Sequence, residues 1–421
     1  MAAKRAIIIG GGVAGPASAL ALSKIGITCT IYELREGAAT IGGAINLTPN
    51  ALRVLDHFGV LEKAIECGCP CEKIEMFSVA TGRRLGELPF GSVELHGYSS
   101  LRICRTDLQQ LMLSAVQEAG IEVQYNKKLT AVEEAEDSIT AIFEDGTSAS
   151  ADILLGCDGI HSAVRTQFVE PSRRPTYTGV STVYGIIPTS AITEPIPFSA
   201  TAINSSRSGS LLTSYCNAAK TSIFLAAVME VAEQQGEDGW RVRGKIADDT
   251  RRDLLRRFES EKLPCVVQMT NATDDLYFFP VFTLDYGSMW SRGRAILIGD
   301  AAHAVSSLQP FTQPSSKLLT ALQMPPAGHS VGLALEDAAL LARLLEATKR
   351  SSPQDVFPRY QELRRPRIES EYKHAVQRWE GVKTISWWWQ MLREYMTWIY
   401  LAIFARHTDR SLRYDVFMQE L

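Results

Sequence analysis

The sequence predicts an α/β fold: a parallel sheet wrapped by helices, an antiparallel sheet inserted into it, and helices at the C-terminal end. Three observations carry this prediction. Residues 4–36, KRAIIIGGGVAGPASALALSKIGITCTIYELRE, run through strand, glycine turn, helix and strand. Two later apolar runs, within ADILLGCDGIHSAVR (151–165) and WSRGRAILIGDAAHA (290–304), end in small-residue turns of similar kind. Strand-like runs fill 175–285, and helix signals dominate from Gly332 onward.

Taken in order, Ala6–Ile9 is a short apolar strand, followed at once by Gly10-x-Gly12-x-x-Gly15. Gly10 permits the tight turn, Gly12 lets backbone approach a pyrophosphate, and Gly15 lets the helix pack close to the sheet. An Ala/Leu-rich helix follows, then the β-branched run Thr28–Tyr32, which ends in Glu33. This is the order of a Rossmann-like dinucleotide site. The helix N-terminus offers free N–H groups to phosphates, and Glu33 is placed to accept from a ribose hydroxyl. A helix at Asn50–Phe58, closed by Gly59, completes the unit.

Residues 72–100 alternate polar and apolar positions around Thr81-Gly82 and Pro89-Phe90-Gly91, which predicts antiparallel strands. Arg105–Ala119 reads as a helix with Leu108, Leu111, Met112 and Val116 on one face. Residues 121–155 read as three strands with turns at Asn126-Lys127 and Asp145-Gly146. The runs Thr182–Ile187, Leu211–Cys216, Thr221–Val228 and Leu276–Phe282 read as strands around one helix, Asp248–Glu261. The strand Ala295–Ile298 ends in Gly299-Asp300. In a parallel sheet, ligands gather at strand carboxyl ends, so one extended ligand could touch all three turns.

Composition excludes several classes. At 421 residues the chain is long enough for two domains. A net charge of −4 gives no reason to expect nucleic acid. The N-terminal apolar run is too short for a signal peptide and leads straight into the glycine turn, so a cytoplasmic protein is expected. Eight cysteines in a chain of this length do not suggest a disulfide framework. Cys67, Cys69 and Cys71 have no second Cys/His cluster at useful spacing, which favours reduced structural thiols and no metal. The apolar stretch Ile385–His407 reads as a packing helix; its aromatics also allow weak membrane-surface contact or a substrate-tunnel helix.

These motifs together resemble the class A FAD-dependent monooxygenases of the aromatic-hydroxylase type, over nearly the whole chain. The resemblance rests on the N-terminal glycine turn, on Gly42-Gly43-Ala44-Ile45 with Leu47-x-Pro49-Asn50-Ala51, and on RICRTDL (102–108). It rests also on CDGIHSAVR, on Trp290-x-x-Gly293-Arg294 leading into GDAAHA, on Leu335-Glu336-Asp337-Ala338, and on Arg365-Pro366-Arg367. It implies a discontinuous FAD-binding domain (1–75, 101–170 and 276–350), a substrate-binding β-sheet domain (76–100 and 171–275) and a helical segment (351–421). FAD is the implied cofactor, NAD(P)H the reductant, and a small molecule and O2 the reactants.

Residue roles follow from the resemblance. Gly10, Gly12 and Gly15 would form the phosphate turn, and Glu33 would hold the adenosine ribose. Arg105 would reach the pyrophosphate or ribityl side. Asp158, with Gly159, would shape the pyrophosphate region and assist NAD(P)H, and Asp300 would bind the ribityl chain. Backbone near Ala44 and at Gly328–Val331 would line the flavin. His303 is expected to be structural. Tyr184 stands where relatives often carry Trp-Arg-Gly toward the substrate; with Tyr215 it supplies either phenols to the pocket or aromatics to the core.

One segment departs from the family. Val305–Ser330 is longer than the usual Pro-x-x-Gly-Gln-Gly loop, with Gly328-His329-Ser330 where Gly-Gln-Gly would stand. It reads as a lid or as a translated intron. The function expected is hydroxylation of an aromatic or related small organic substrate. The alternatives are alkene epoxidation by the same chemistry and an FAD-binding protein inactivated by the 305–330 insertion. A plain nicotinamide dehydrogenase has no need of CDGIHSAVR or GDAAHA.

Overall fold

The computed structural model describes residues 3–38, 42–232, 247–284, 289–304, 330–348, 351–380, 383–403 and 411–421. A six-stranded sheet carries the N-terminal unit. Its order is Ser291–Arg292, Ala295–Leu297, Ile153–Gly156, Arg5–Ile9, Thr28–Tyr32 and Glu122–Gln124. Apart from the short edge strand Ser291–Arg292, the pairs are parallel. The central strands are buried on both faces, as their continuous Ile and Leu runs require. The helix Ala14–Lys24 packs between this sheet and the long helix Ser330–Ala347.

A seven-stranded sheet forms the second layer. Its order is Tyr277–Thr283, Thr176–Pro188, Ser222–Glu230, Gly209–Tyr215, Thr201–Ser206, Lys73–Ser78 and Arg84–Pro89. Its pairs are antiparallel except that Thr201–Ser206 runs parallel to Lys73–Ser78. The strand Lys73–Ser78 thus crosses the expected domain boundary at 75. One face, with Val183, Ile187, Leu225 and Ala227, packs on Leu254, Phe258 and Met269 of two helices. The other face meets a small sheet of Ala44–Leu47, Leu101–Cys104 and Cys69–Pro70.

Three local readings are corrected. Residues 121–155 hold five strands: Glu122–Gln124, Leu129–Glu134, Ile139–Phe143, Ser148–Ala151 and Ile153–Gly156. The middle three form their own antiparallel sheet. Only Asp152 separates the last two, and its Oδ2 accepts from the N–H groups of Lys4 and Arg5 at 2.7 and 2.8 Å. This contact passes the chain from one sheet to the next within a single residue. The helix expected at Asp248–Glu261 spans Ala247–Phe258, and a second, Pro264–Asn271, starts on the proline that favours a first turn. A short helix, Val93–His96, also lies within 72–100; Ser92 caps it and Gly97 (φ +81°) ends it.

The C-terminal helix Trp387–Ile403 packs Gln390, Arg393, Thr397 and Leu401 inward. Trp387, Trp388, Met391, Tyr395 and Trp398 stand exposed. No helix among the described residues is long and apolar enough to cross a membrane.

Candidate active site

The glycine turn is built by close approach. Gly10 has φ +113°, and a Cβ there would lie 2.5 Å from the Cys157 carbonyl oxygen. A Cβ on Gly15 would lie 1.9 Å from the Gly10 carbonyl oxygen. Gly12 differs, because a Cβ there would meet nothing within 4 Å. The turn therefore opens outward at Gly12, beside a helix start that no side chain caps. Uncapped N–H groups at a helix N-terminus attract phosphate. Glu33 closes the turn: Gly11 N–H donates to its Oε2 at 2.5 Å and Arg35 N–H to its Oε1 at 2.9 Å. Gln109 Nε2 donates to the Gly11 carbonyl at 2.6 Å and ties in the helix Arg105–Glu118.

At the other end, Ala44 opens the strand Ala44–Leu47 opposite Cys104. The Arg105 N–H donates to the Gly43 carbonyl at 2.9 Å. Asp300 begins the short helix Asp300–His303 after Gly299. Burial pushes the Asp300 carboxyl up, and His303 and Arg105 oppose that rise. Burial likewise pushes the Tyr184 phenol up, again opposed by Arg105. Arg105, Asp300 and Tyr184 thus share one electrostatic neighbourhood.

Asp158 has a local role. Its Oδ2 accepts from the N–H groups of Ala163 and Val164 at 2.6 and 3.1 Å, which holds the turn after Ile153–Gly156. Its Oδ1 is buried without a partner. Val331 is the second residue of Ser330–Ala347 and packs against the main core. Gly328, and with it the segment 305–329, lies outside the described residues.

Strand register separates the two tyrosines. Tyr184 pairs with Ala226, and Ala226 with Leu212, so these share a face. Tyr215 pairs with Ile223, three positions from both, and so belongs to the opposite face. Tyr184 stacks on Tyr277 at 5.4 Å and stands 5.9 Å from Phe224, facing the small sheet. Tyr215 packs on Phe198 at 5.5 Å, with Lys220 over its ring. Tyr215 is therefore not brought to the Tyr184 side, where a shared pocket would need it.

Sequence reasoning did not find the buried ion network behind the site. Thr48 donates to Asn50 Oδ1 at 2.6 Å, and Asn50 Nδ2 to Glu336 at 2.6 Å. Arg364 pairs with Glu336 at 2.7 Å and with Asp337 at 2.6 Å. Asp337 Oδ2 accepts from Gly299 N–H at 2.9 Å and lies 2.6 Å from His303 Nε2. Burial alone would raise the Asp337 carboxyl, but His303 and Arg364 outweigh it and hold it well below the usual range. His303 is held by Asp337, and the network fixes the turn that carries Asp300. The signal in the sequence was the acidic pair Glu336-Asp337 inside an apolar helix.

The residues present fit FAD: an open turn at Gly12, an uncapped helix start, an orphaned buried oxygen on Asp158, and the charged side chains of Arg105 and Asp300. Comparison with known proteins agrees. The family model for the FAD binding domain matches residues 4–310. The 6-hydroxynicotinate 3-monooxygenase of Bordetella bronchiseptica is 26% identical over 365 residues, 86% of this chain and 88% of that protein. The 3-amino-4-hydroxybenzoate 2-monooxygenase PtmB3 of Streptomyces platensis is 29% identical over 376 residues, 89% of this chain and 87% of that one. Among solved structures, Klebsiella pneumoniae HpxO complexed with FAD and uric acid shares the fold. Its TM-score is 0.74 at 24% identity, with 93% of this chain and 92% of that chain covered. The chain belongs to the FAD binding domain family, the class A FAD-dependent monooxygenases of the aromatic-hydroxylase type, and is a flavin-dependent oxidoreductase.

Proposed function

We propose that this chain uses NAD(P)H and O2 to hydroxylate a phenol-like aromatic ring held between the small sheet and the Tyr184 face of the large one. The observation that carries the reading is that Arg105 and Tyr184 meet at Gly42-Gly43, where a Cβ on Gly42 would lie 3.2 Å from the Arg105 side chain and one on Gly43 3.5 Å from Tyr184, together with the open glycine turn. FAD, when bound, supplies the redox chemistry between NAD(P)H and O2. The chain supplies binding, orientation and exclusion of water. Glu33 holds the adenosine ribose, and the turn around Gly12 holds the pyrophosphate with Asp158 beside it. Arg105 and Asp300 hold the ribityl side. Tyr184, backed by Tyr277 and Phe224, orients the substrate ring. The relatives named for 6-hydroxynicotinate and 3-amino-4-hydroxybenzoate support an aromatic substrate.

The same reading takes the protein as cytoplasmic and without a nucleic-acid partner, in keeping with the net charge of −4. The exposed aromatic stripe of Trp387–Ile403 supports weak contact with a membrane surface. The segment Phe311–Pro326 is dispensable in this account. Joining Pro310 to Ala327 leaves a short passage into LALEDA, and the shortened chain should bind FAD at least as tightly.

The test is a panel of hydroxylated aromatics and alkenes offered to the purified yellow protein, with NAD(P)H oxidation and product mass read together. A ring product heavier by one oxygen is expected. NAD(P)H oxidation with no oxygenated product from any compound contradicts the reading, and an epoxide moves it to the rival chemistry.

A further inference from the structure

Six arginines are buried among the described residues: Arg102, Arg165, Arg173, Arg294, Arg364 and Arg393. Five have built-in acceptors. Arg165 and Arg173 donate to the carbonyls of Ala301 and Ala302, Arg294 to those of Glu136 and Asp152, and Arg393 to that of Ser206. Arg364 has its two carboxylates. Arg102 is the exception. It is 3% exposed, its Nε has no hydrogen-bond partner, and among the described residues no carboxylate pairs with it. The titratable groups around it are the thiols of Cys71, Cys216 and Cys104. Burial holds Cys71 protonated, and a hydrogen bond with Cys104 together with burial holds Cys216 protonated. Burial lowers its pKa to about 10, so it remains a cation at neutral pH. A buried cation without an anion is costly, and an arriving anion relieves that cost.

The location points to the ligand. Arg102 pairs with Asn46 and Cys104 with Ala44, so Arg102 lies on the same face of the small sheet as Ala44 and Cys104. That face meets Phe224, Ala226, Leu212 and Tyr184 of the large sheet. The guanidinium lies 5.0 Å from the Phe224 ring centre, Phe224 lies 5.9 Å from Tyr184, and Tyr184 lies 5.4 Å from Tyr277. A cation at one end of this series of ring contacts suits a flat ring that bears an anionic group. The planar fork of arginine matches a carboxylate.

We propose that Arg102 is a specificity-determining residue that receives the carboxylate of an aromatic substrate. This rests on the aromatic-substrate reading above and deepens it. The test titrates benzoate and benzamide, alike in shape and different in charge, into the FAD-loaded chain and its Arg102→Gln and Arg102→Lys variants. Flavin absorbance and calorimetry report binding. The native protein should prefer benzoate by at least about tenfold. Arg102→Gln should abolish that preference by weakening benzoate while leaving benzamide and flavin content unchanged, and Arg102→Lys should keep part of it. Equal native affinity for the two probes overturns the proposal whether or not a variant folds, and leaves the aromatic reading standing. A preference that survives in flavin-loaded Arg102→Gln overturns it too. Binding of neither probe overturns it together with the aromatic reading.

Discussion

Arg364 and Arg102 are both buried guanidiniums, yet they are set in opposite ways. Arg364 sits between Glu336 and Asp337, and through them ties together Asn50, Gly299 and His303. Arg102 faces thiols and one aromatic ring. A charge whose partners are built in holds the fold. A charge whose partner is missing among the described residues is available to a ligand. The same residue type therefore does structural work on one side and is free for recognition on the other.

Breaking the partnered side should have the largest effect. Arg364→Met removes the cation shared by two buried carboxylates, leaving Glu336 to Asn50 and Arg367 and Asp337 to Gly299 and His303, and should cost about 3–5 kcal/mol in denaturant unfolding, with loss of flavin. The pH dependence has a definite sign. The Asp337 carboxyl is held below its unfolded value, so its contribution is fully present above the ordinary carboxylate range, near about 4. It is lost as pH falls toward the depressed native value. Asp337→Asn should therefore lower stability at neutral pH and flatten the acid limb of the unfolding curve.

Asp300→Ala or Arg105→Ala should weaken FAD binding by about 1–3 kcal/mol, read as flavin content and as a titrated Kd. Full FAD occupancy in both variants would reject their assignment to the ribityl side. Gly12→Ala sharpens the distinction between fold and site. Its Cβ meets no protein atom, so the apoprotein Tm should hold while FAD affinity falls. Unchanged FAD affinity would show that the opening at Gly12 is not the phosphate cradle. On the unpartnered side, Arg102→Gln should lower the unfolding free energy by no more than about 1 kcal/mol, and can raise it, because no built-in ion pair is lost and a costly buried cation is removed. A loss comparable to that of Arg364→Met would erase the contrast between the two arginines.

The parts legible in the sequence were those set by local chemistry. The strand, glycine turn, helix and strand of residues 4–36 follow from short-range rules, and the structure reproduces their order. What remained hidden depended on register and long-range pairing. Whether Tyr184 and Tyr215 share a face is decided by strand pairing, and no property of either residue reveals it. The motif at the C-terminal end drew attention to Arg365-Pro366-Arg367, yet the turn of the helix points Arg364 at Asp337. Arg102 was visible only as one charge in the apolar strand Leu101–Cys104. Its lack of a partner appears only once the two sheets meet. Two strand boundaries within 121–155 stayed hidden, between Leu129–Glu134 and Ile139–Phe143 and between Ser148–Ala151 and Ile153–Gly156, because those connections are short.

The most direct test of the central claim follows the oxygen atom. The purified flavin-loaded chain is given NAD(P)H and an aromatic substrate from the panel under isotopically labelled O2, in unlabelled water, and the product is weighed by mass spectrometry. The account predicts one labelled oxygen atom in the hydroxylated ring. An oxygen drawn from water instead would contradict it.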